Sequence, residues 1–85
     1  MHKAFMTDLV RNPRQFGNIV RNVRRRKGWT QAELARNVGL QQRQISVIEA
    51  GYPSARLQTL LAICAALELD LQVGPRATAD WNQVP

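Results

Sequence analysis

One stretch of this chain, TQAELARNVGLQQRQISVIEAG from Thr30 to Gly51, constrains its fold more than any other. Thr30 is a favourable residue to begin a helix, and Glu33 follows three positions later, as in a capping box. Gly39 lets the backbone leave that helix sharply, because glycine enters left-handed conformations at little cost. A second short helix follows and ends at Gly51. The stretch therefore predicts two short helices joined by a tight turn.

Small and apolar residues recur in this stretch at the spacing that two closely crossing helices need. Helices that cross steeply at a short turn require a small residue where they touch and apolar residues on their inner faces. The chain supplies, in order, Leu34, Ala35, Val38, Gly39, Leu40, Ile45 and Ile48. This agreement predicts a helix-turn-helix whose second helix is free to present its outer face to a partner.

The outer face of the second helix is polar and carries a single charge, that of Arg43. Its residues are Gln41, Gln42, Arg43, Gln44, Ser46 and Val47. Glutamine and arginine side chains match the donors and acceptors on base edges in the major groove of DNA. The ordinary alternative is a solvated face of a small helical domain, but the helix-turn-helix pattern favours DNA binding.

The composition indicates one small domain with a strong positive charge. The chain has 85 residues, 45% of them hydrophobic, and a formal net charge of +6. This charge attracts polyanions, but RNA and membrane surfaces would satisfy it as well as DNA does. No apolar run is long enough to span a membrane and no secretory signal is recognised, so we expect a cytoplasmic protein without a membrane partner.

No pattern in the sequence favours an enzyme. His2 is the one histidine, and Cys64, the one cysteine, has no histidine beside it and suits a small core position. No metal-ligand spacing and no phosphate-binding glycine loop is present. We therefore expect no catalytic residues, no metal and no cofactor.

Two further helices are predicted, one on either side of the central stretch. Asn12 and Pro13 begin the first, which runs to about Lys27 and ends at Gly28. The basic run over 24–27 in its last turn complements the helix dipole, contacts phosphate, or does both through different members. The fourth helix covers about 56–67 and is apolar on more than one side. It therefore packs against the core and against something else, such as a second copy of the chain.

Residues 68–73, ELDLQV, alternate between apolar and polar residues, a pattern typical of a β-strand. A lone strand leaves its backbone groups unpaired, so this one needs either the segment near Leu9 and Val10 or a second copy of itself. The predicted fold is an all-α four-helix DNA-binding bundle with this short strand paired across a dimer. The chain divides into an N-terminal arm (1–11), a DNA-binding and dimerisation domain (12–73) and a mobile tail (74–85).

Three segments carry a family likeness: NPRQFGNIVRNVRRRKGWTQAELARNVGL, then QISVIEAG, then LQTLLAICAALELDLQV. Over residues 12–73 the chain resembles the Cro/cI-repressor-like (XRE) helix-turn-helix domains. More narrowly, it is similar to HipB-type antitoxins, whose partners are HipA-type Ser/Thr kinase toxins. The resemblance implies a homodimer that binds a palindromic double-stranded operator, represses its own operon and restrains such a kinase. The alternative is a stand-alone phage-like or metabolic regulator without a toxin.

The resemblance also implies roles for individual residues. Base edges would be contacted by Gln41, Gln42, Arg43, Ser46 and Val47, and DNA phosphates by Thr30, Gln31, Arg36 and Gln44. Gln42 matches an adenine-reading glutamine, whereas Arg43 departs from the family pattern and favours guanine. An internal ion pair would join Arg24 and Glu49, and the dimer interface would consist of Leu67, Leu69, Leu71 and Val73. Trp81 is either an anchor for the toxin or a chance exposed aromatic.

RNA binding through the basic run over 24–27 is a further alternative. Sequence-specific RNA recognition usually stacks bases on exposed aromatic side chains, and none is expected near this run. The sequence therefore favours duplex DNA over RNA.

Overall fold

The computed structural model describes residues 8–52 and 55–76. Within these ranges the chain forms four α-helices: α1 (Pro13–Arg26), α2 (Gln31–Val38), α3 (Gln42–Glu49) and α4 (Leu57–Ala66). The predicted four-helix fold with a helix-turn-helix is confirmed, and each helix begins and ends within one residue of its expected position. No helix in the described ranges is both long and apolar enough to cross a membrane.

The first two helices begin at side-chain caps. Asn12 Oδ1 accepts a hydrogen bond of 2.9 Å from the Gln15 N–H at the start of α1. At α2, the Thr30 hydroxyl accepts from the Glu33 N–H at 3.0 Å, and the Glu33 carboxylate accepts from the Thr30 N–H at 2.7 Å. The helix α2 ends at Gly39, which has a φ of 74°. A side-chain capping box therefore fixes the start of α2 and a left-handed glycine its end, as the sequence indicates.

All four helices contribute to one small core. Its buried residues are Val20, Leu34, Ala35, Ile45, Ile48, Ile63 and Leu67. Val38 and Leu40 are half-buried and pack against this cluster, so every inward apolar residue predicted for the helix-turn-helix contacts the core. Cys64 is buried as expected, and its burial raises the pKa of its thiol.

Helices α1 and α3 approach each other closely at Gly17, which the sequence did not single out. A Cβ atom on Gly17 would lie 2.4 Å from the Ile48 carbonyl oxygen and 2.7 Å from that of Glu49. Only glycine fits here without moving one of the two helices. This contact sets how closely α1 packs against the second helix of the helix-turn-helix.

The chain after α4 differs from the sequence prediction in one respect. Residues 69–74 form no strand, and neither do residues 8–11, so the pairing considered within one chain is not present in the described ranges. Leu69 is half-buried and its N–H donates to the Cys64 carbonyl at 2.8 Å, while the residues after it are exposed. The strand paired with a second copy stays a prediction.

The prediction that Leu67 lies in the dimer interface is wrong. Leu67 belongs to the core, and only 2% of its surface is exposed. Because the turn that ends α4 directs this side chain inward, Leu67 offers a second chain almost no surface. Of the four residues assigned to that interface, Leu71 and Val73 are exposed, with 44% and 93% of their surface accessible.

Candidate nucleic-acid interface

Helix α3 lies across α2 and presents its N-terminal end to solvent. The buried side of α3 carries Ile45, Ile48 and Glu49, and the opposite side of the helix is accessible. The four exposed side chains at its start are those of Gln41, Gln42, Arg43 and Gln44. Ser46 and Val47, also assigned to base contacts, are half-buried. The accessible part of the predicted base-reading surface is therefore concentrated in the first turn of α3.

Gln44 has a structural role in this turn. Its Oε1 accepts a hydrogen bond of 2.9 Å from the backbone N–H of Gln41, the residue that caps α3. The side chain thus folds back to the start of its own helix and satisfies one of the unpaired N–H groups there. Gln44 therefore holds the first turn of α3 in position through its amide oxygen. The amide nitrogen of Gln44 is the group that would contact a phosphate.

Arg24 and Glu49 form an ion pair in the interior of the protein. Arg24 Nε lies 2.6 Å from Glu49 Oε2, and Arg24 Nη2 lies 2.9 Å from Glu49 Oε1. The third arm of the guanidinium donates to the Trp29 carbonyl at 2.7 Å. The hydrogen bond with Glu49 raises the pKa of Arg24 further above its ordinary value. Arg24 is therefore a cross-link between α1 and α3, as the family resemblance implies.

A chain of amide hydrogen bonds runs from this ion pair to the surface. Gln31 Nε2 donates to Glu49 Oε1 at 3.1 Å, and Gln42 Nε2 donates to Gln31 Oε1 at 2.6 Å. Gln31 begins α2 and Gln42 begins α3, so the contact joins the starts of the two helices. The exposed Gln42 side chain is thereby held in place by residues that reach back into the core.

The remaining cations of the basic run differ in their surroundings. Arg25 and Arg26 are exposed at the end of α1. Lys27 Nζ instead lies 2.5 Å from Glu68 Oε1 and 5.6 Å from the centre of the Trp29 ring. This hydrogen bond lowers the pKa of Glu68. The run thus combines structural cations with exposed ones, and Trp29 packs against the core.

The other predicted site residues have varied surroundings. Arg36 is exposed on α2, whereas the Thr30 hydroxyl already accepts the capping hydrogen bond of that helix. Trp81 lies outside the described residues. In the ranges that the structure describes, no group of three His, Cys, Asp or Glu side chains could hold a metal ion. The groups at the exposed start of α3 are the amides of three glutamines and the guanidinium of Arg43, which are suited to hydrogen bonding with a polar, anionic partner.

A family model, a curated protein and solved structures all match this chain as a helix-turn-helix protein similar to HipB. The family model described as helix-turn-helix (HTH_3) matches residues 20–73. Antitoxin HipB of Escherichia coli strain K12 is 37% identical over 79 residues, covering 86% of this chain and 90% of that protein. Among solved structures, a HipA-HipB-O2-O3 complex and a HipB-O4 20mer complex each match with a TM-score of 0.75 and 32% identity. Each match covers 84% of this chain and all of the solved one.

Proposed function

We propose that this chain is a DNA-binding antitoxin. It belongs to the XRE-type helix-turn-helix family (HTH_3) and within it to the HipB antitoxins. In this proposal it acts as a homodimer, binds a palindromic operator sequence-specifically and represses its own operon. It also binds and restrains a HipA-type Ser/Thr kinase toxin, and it performs no catalysis itself. The proposal places its site of action in the cytoplasm, where the operator and the kinase would be.

The DNA-binding half of the proposal rests on one observation above all. The exposed first turn of α3 carries Gln42 and Arg43, and Gln42 is held in a fixed position by Gln31. An oriented amide and a guanidinium at the start of a recognition helix are the groups that read base edges. The net charge of +6 supplies the sequence-independent attraction to phosphate. Arg36 on α2 and the exposed Arg25 and Arg26 at the end of α1 contribute to that charge.

We propose a dimer because a palindromic operator has two-fold symmetry and offers two equivalent half-sites. Two recognition helices that enter successive major grooves on one face of DNA are about 34 Å apart, one helical turn. The exposed Leu71 and Val73 give the chain apolar surface that a second copy would cover. We propose that residues 69–73 of two copies pair as strands and set that spacing.

The toxin-binding half is supported by the relatives. One of the matched structures is named as a complex that contains HipA together with HipB. The chain covers 90% of the length of the HipB antitoxin that it matches, so the likeness is not confined to the DNA-binding helices. We propose Trp81, in the tail, as the residue that anchors the kinase.

The DNA-binding half is tested with the variant Gln42→Ala. We expect operator binding to weaken by about 1–3 kcal/mol at fixed salt, because a paired base contact is lost, while binding to random DNA is unchanged. Fluorescence anisotropy on both duplexes measures the two affinities. Gln58→Ala, the same replacement at an exposed position on α4, serves as the matched control. An equal loss on operator and random DNA would contradict base reading by Gln42.

The toxin-binding half is tested by purifying the tagged chain from its native cell, with and without nuclease, and identifying the bound proteins by mass spectrometry. A kinase-like protein retained after nuclease treatment would support the antitoxin assignment. Loss of that protein from the Trp81→Ala variant would then assign the anchor. Recovery of DNA-dependent partners alone would instead favour a stand-alone regulator.

A further inference from the structure

We infer that the Lys27–Glu68 ion pair sets the direction of the segment over 69–73 relative to the recognition helix α3, and so makes the dimer select operators by the spacing of their half-sites. Lys27 and Glu68 are positioning residues in this scheme, since neither needs to touch DNA. The inference rests on the proposed function, because it concerns how the two halves of the proposed dimer are held apart.

The four helices end alike, with one residue in a left-handed conformation. After α1, α2 and α3 this residue is a glycine, and Gly28, Gly39 and Gly51 have φ values of 76°, 74° and 91°. After α4 it is Glu68, with a φ of 61°, and no other non-glycine residue in the part of the chain that the structure describes has a positive φ. A residue with a Cβ atom is disfavoured in this conformation, so Glu68 stands where glycine would fit better.

The hydrogen bonds around Glu68 are those of an ordinary helix end. The Glu68 N–H donates to the Ala65 carbonyl at 3.1 Å, and the Leu69 N–H donates to the Cys64 carbonyl at 2.8 Å. The same pattern, with bonds of 2.9 and 3.1 Å, follows α1 at Gly28. Both are Schellman motifs, in which the left-handed residue is usually glycine. The helix end does not require a glutamate, so the reason for one lies in its side chain.

The Glu68 side chain reaches the end of α1. Its Oε1 lies 2.5 Å from Lys27 Nζ, which lies 5.6 Å from the centre of the Trp29 ring. The Lys27 and Glu68 side chains are 26% and 80% exposed, and an ion pair this exposed contributes little to stability. A weak contact can nevertheless choose between backbone directions that differ little in free energy, which is the role that we assign to it.

The recognition helix is joined to the same turn of α1. Arg24 lies in that last turn, and its Nε is 2.6 Å from Glu49 Oε2 at the end of α3. Lys27 follows Arg24 by three residues, so two ion pairs connect α3 and the chain at Glu68 to one turn. Leu69 is half-buried and the residues after it are exposed, so the chain leaves the core here. Its direction at this point determines where a second copy, and the second recognition helix, would lie.

Two-fold symmetry repeats any change in this direction, because each copy contributes one segment to the proposed pairing. Adjacent base pairs are about 3.4 Å apart, and each is turned by about 34–36° from the one before. A dimer whose segments have a fixed direction therefore fits one half-site spacing. A dimer whose segments are loosely directed would fit the neighbouring spacings as well.

The test uses the operator that the parent chain selects from a randomised duplex library. Fluorescence anisotropy measures binding to this operator and to two versions with one base pair added or removed between the half-sites. We expect the parent to bind the altered duplexes about tenfold more weakly, because the DNA has to be twisted to fit. Glu68→Gly keeps the helix end but removes the carboxylate, and Lys27→Glu removes its partner. Each should reduce the discrimination to about twofold, since more directions of the segment are populated.

A charge swap separates the ion pair from its individual residues. The chain with both Lys27→Glu and Glu68→Lys has an ion pair of the opposite sense, and we expect it to recover most of the discrimination that Lys27→Glu loses. Arg25→Glu is the matched control, because it makes the same change of charge at an exposed position in the same turn. It should weaken binding to all three duplexes alike.

Full discrimination by both Glu68→Gly and Lys27→Glu would overturn the inference while operator binding stands. A doubly substituted chain that discriminates no better than Lys27→Glu would also overturn it. A parent pool without an enriched palindrome, or a parent that binds all three spacings equally, would overturn the proposed dimeric operator binding itself, and the inference with it.

Discussion

At the scale of single residues, Gly17 has a structural effect because it lacks a side chain. Alanine at this position would favour α1 by about 1 kcal/mol through helix propensity. Its Cβ would, however, lie 2.4 Å from a backbone oxygen of α3, a separation that real Cβ atoms essentially never show. Because backbone cannot rotate away as a side chain can, the steric cost exceeds the gain in propensity. The separation of α1 and α3 thus depends on this one glycine.

We therefore expect Gly17→Ala to lower the free energy of unfolding by about 1–3 kcal/mol. Urea titration followed by circular dichroism measures the change. Gly74→Ala is the matched control, since a Cβ there meets no atom within 4 Å and its change should stay within about 0.5 kcal/mol. An unchanged midpoint for Gly17→Ala would mean that the two helices are free to separate.

At the scale of the element, α2 shows how a short helix is held. It has eight residues, fewer than an isolated helix needs to be stable in water. Leu34 and Ala35 anchor it in the core, and the reciprocal Thr30 and Glu33 hydrogen bonds close its first turn. The hydrogen bond from the Thr30 backbone is the main cause of the lowered pKa of Glu33. Ionisation of Glu33 therefore favours the closed first turn of α2, at whose start Gln31 lies.

This lowered pKa predicts a pH dependence. A carboxyl group whose pKa is lower in the folded state stabilises the fold above its unfolded-state pKa, and the contribution is lost as pH falls through the folded-state pKa. We therefore expect Glu33→Gln, which keeps the accepting oxygen but does not titrate, to lose less stability than the parent below about pH 5. Urea titrations at several pH values measure this difference.

Thr30→Ala provides the comparison for that experiment. It removes the hydroxyl acceptor at every pH and should cost about 1 kcal/mol. Parallel pH profiles for the parent and Glu33→Gln would exclude Glu33 as a source of the acid sensitivity.

At the scale of the whole molecule, the four helices leave apolar surface uncovered. Leu57, Leu61, Leu71 and Val73 have 63%, 45%, 44% and 93% of their surface exposed. These residues lie on α4 and on the segment that follows it, away from the buried faces of α1, α2 and α3. We proposed that the segment over 69–73 pairs with its copy in a dimer, which would cover part of this surface.

Leu71→Asp is therefore expected to weaken dimer formation, because it places a charge at the centre of the pairing segment. Sedimentation equilibrium should show a clear shift toward the monomer mass, and binding to a palindromic duplex should fall with it. Gln72→Asp adds the same charge one residue later, on the opposite side of an extended segment, and should leave the mass unchanged. A monomeric parent, or equal effects of both variants, would remove residues 69–73 from the interface.

Contacts between residues close together in the sequence were easier to predict than contacts between residues far apart in it. The Thr30 capping box and the turn at Gly39 join residues a few positions apart, so their geometry follows from the sequence. The contact between Gln31 and Gln42 spans 11 positions and that between Gln31 and Glu49 spans 18. These contacts depend on how α2 and α3 cross, which no local pattern specifies. The Arg24–Glu49 pair, 25 positions apart, was expected from family resemblance alone.

Local sequence patterns are sufficient to predict the four helices, their ends and the polar outer face of α3, because capping, glycine turns and apolar spacing act within one or two helical turns. Three features are evident only from the folded chain: Leu67 faces the core, α1 touches α3 at Gly17, and Gln42 is linked to Glu49 through Gln31. Those facts depend on helix crossing angles, which the packing of distant side chains sets jointly. The position of the Gln42 side chain is therefore a property of the folded protein.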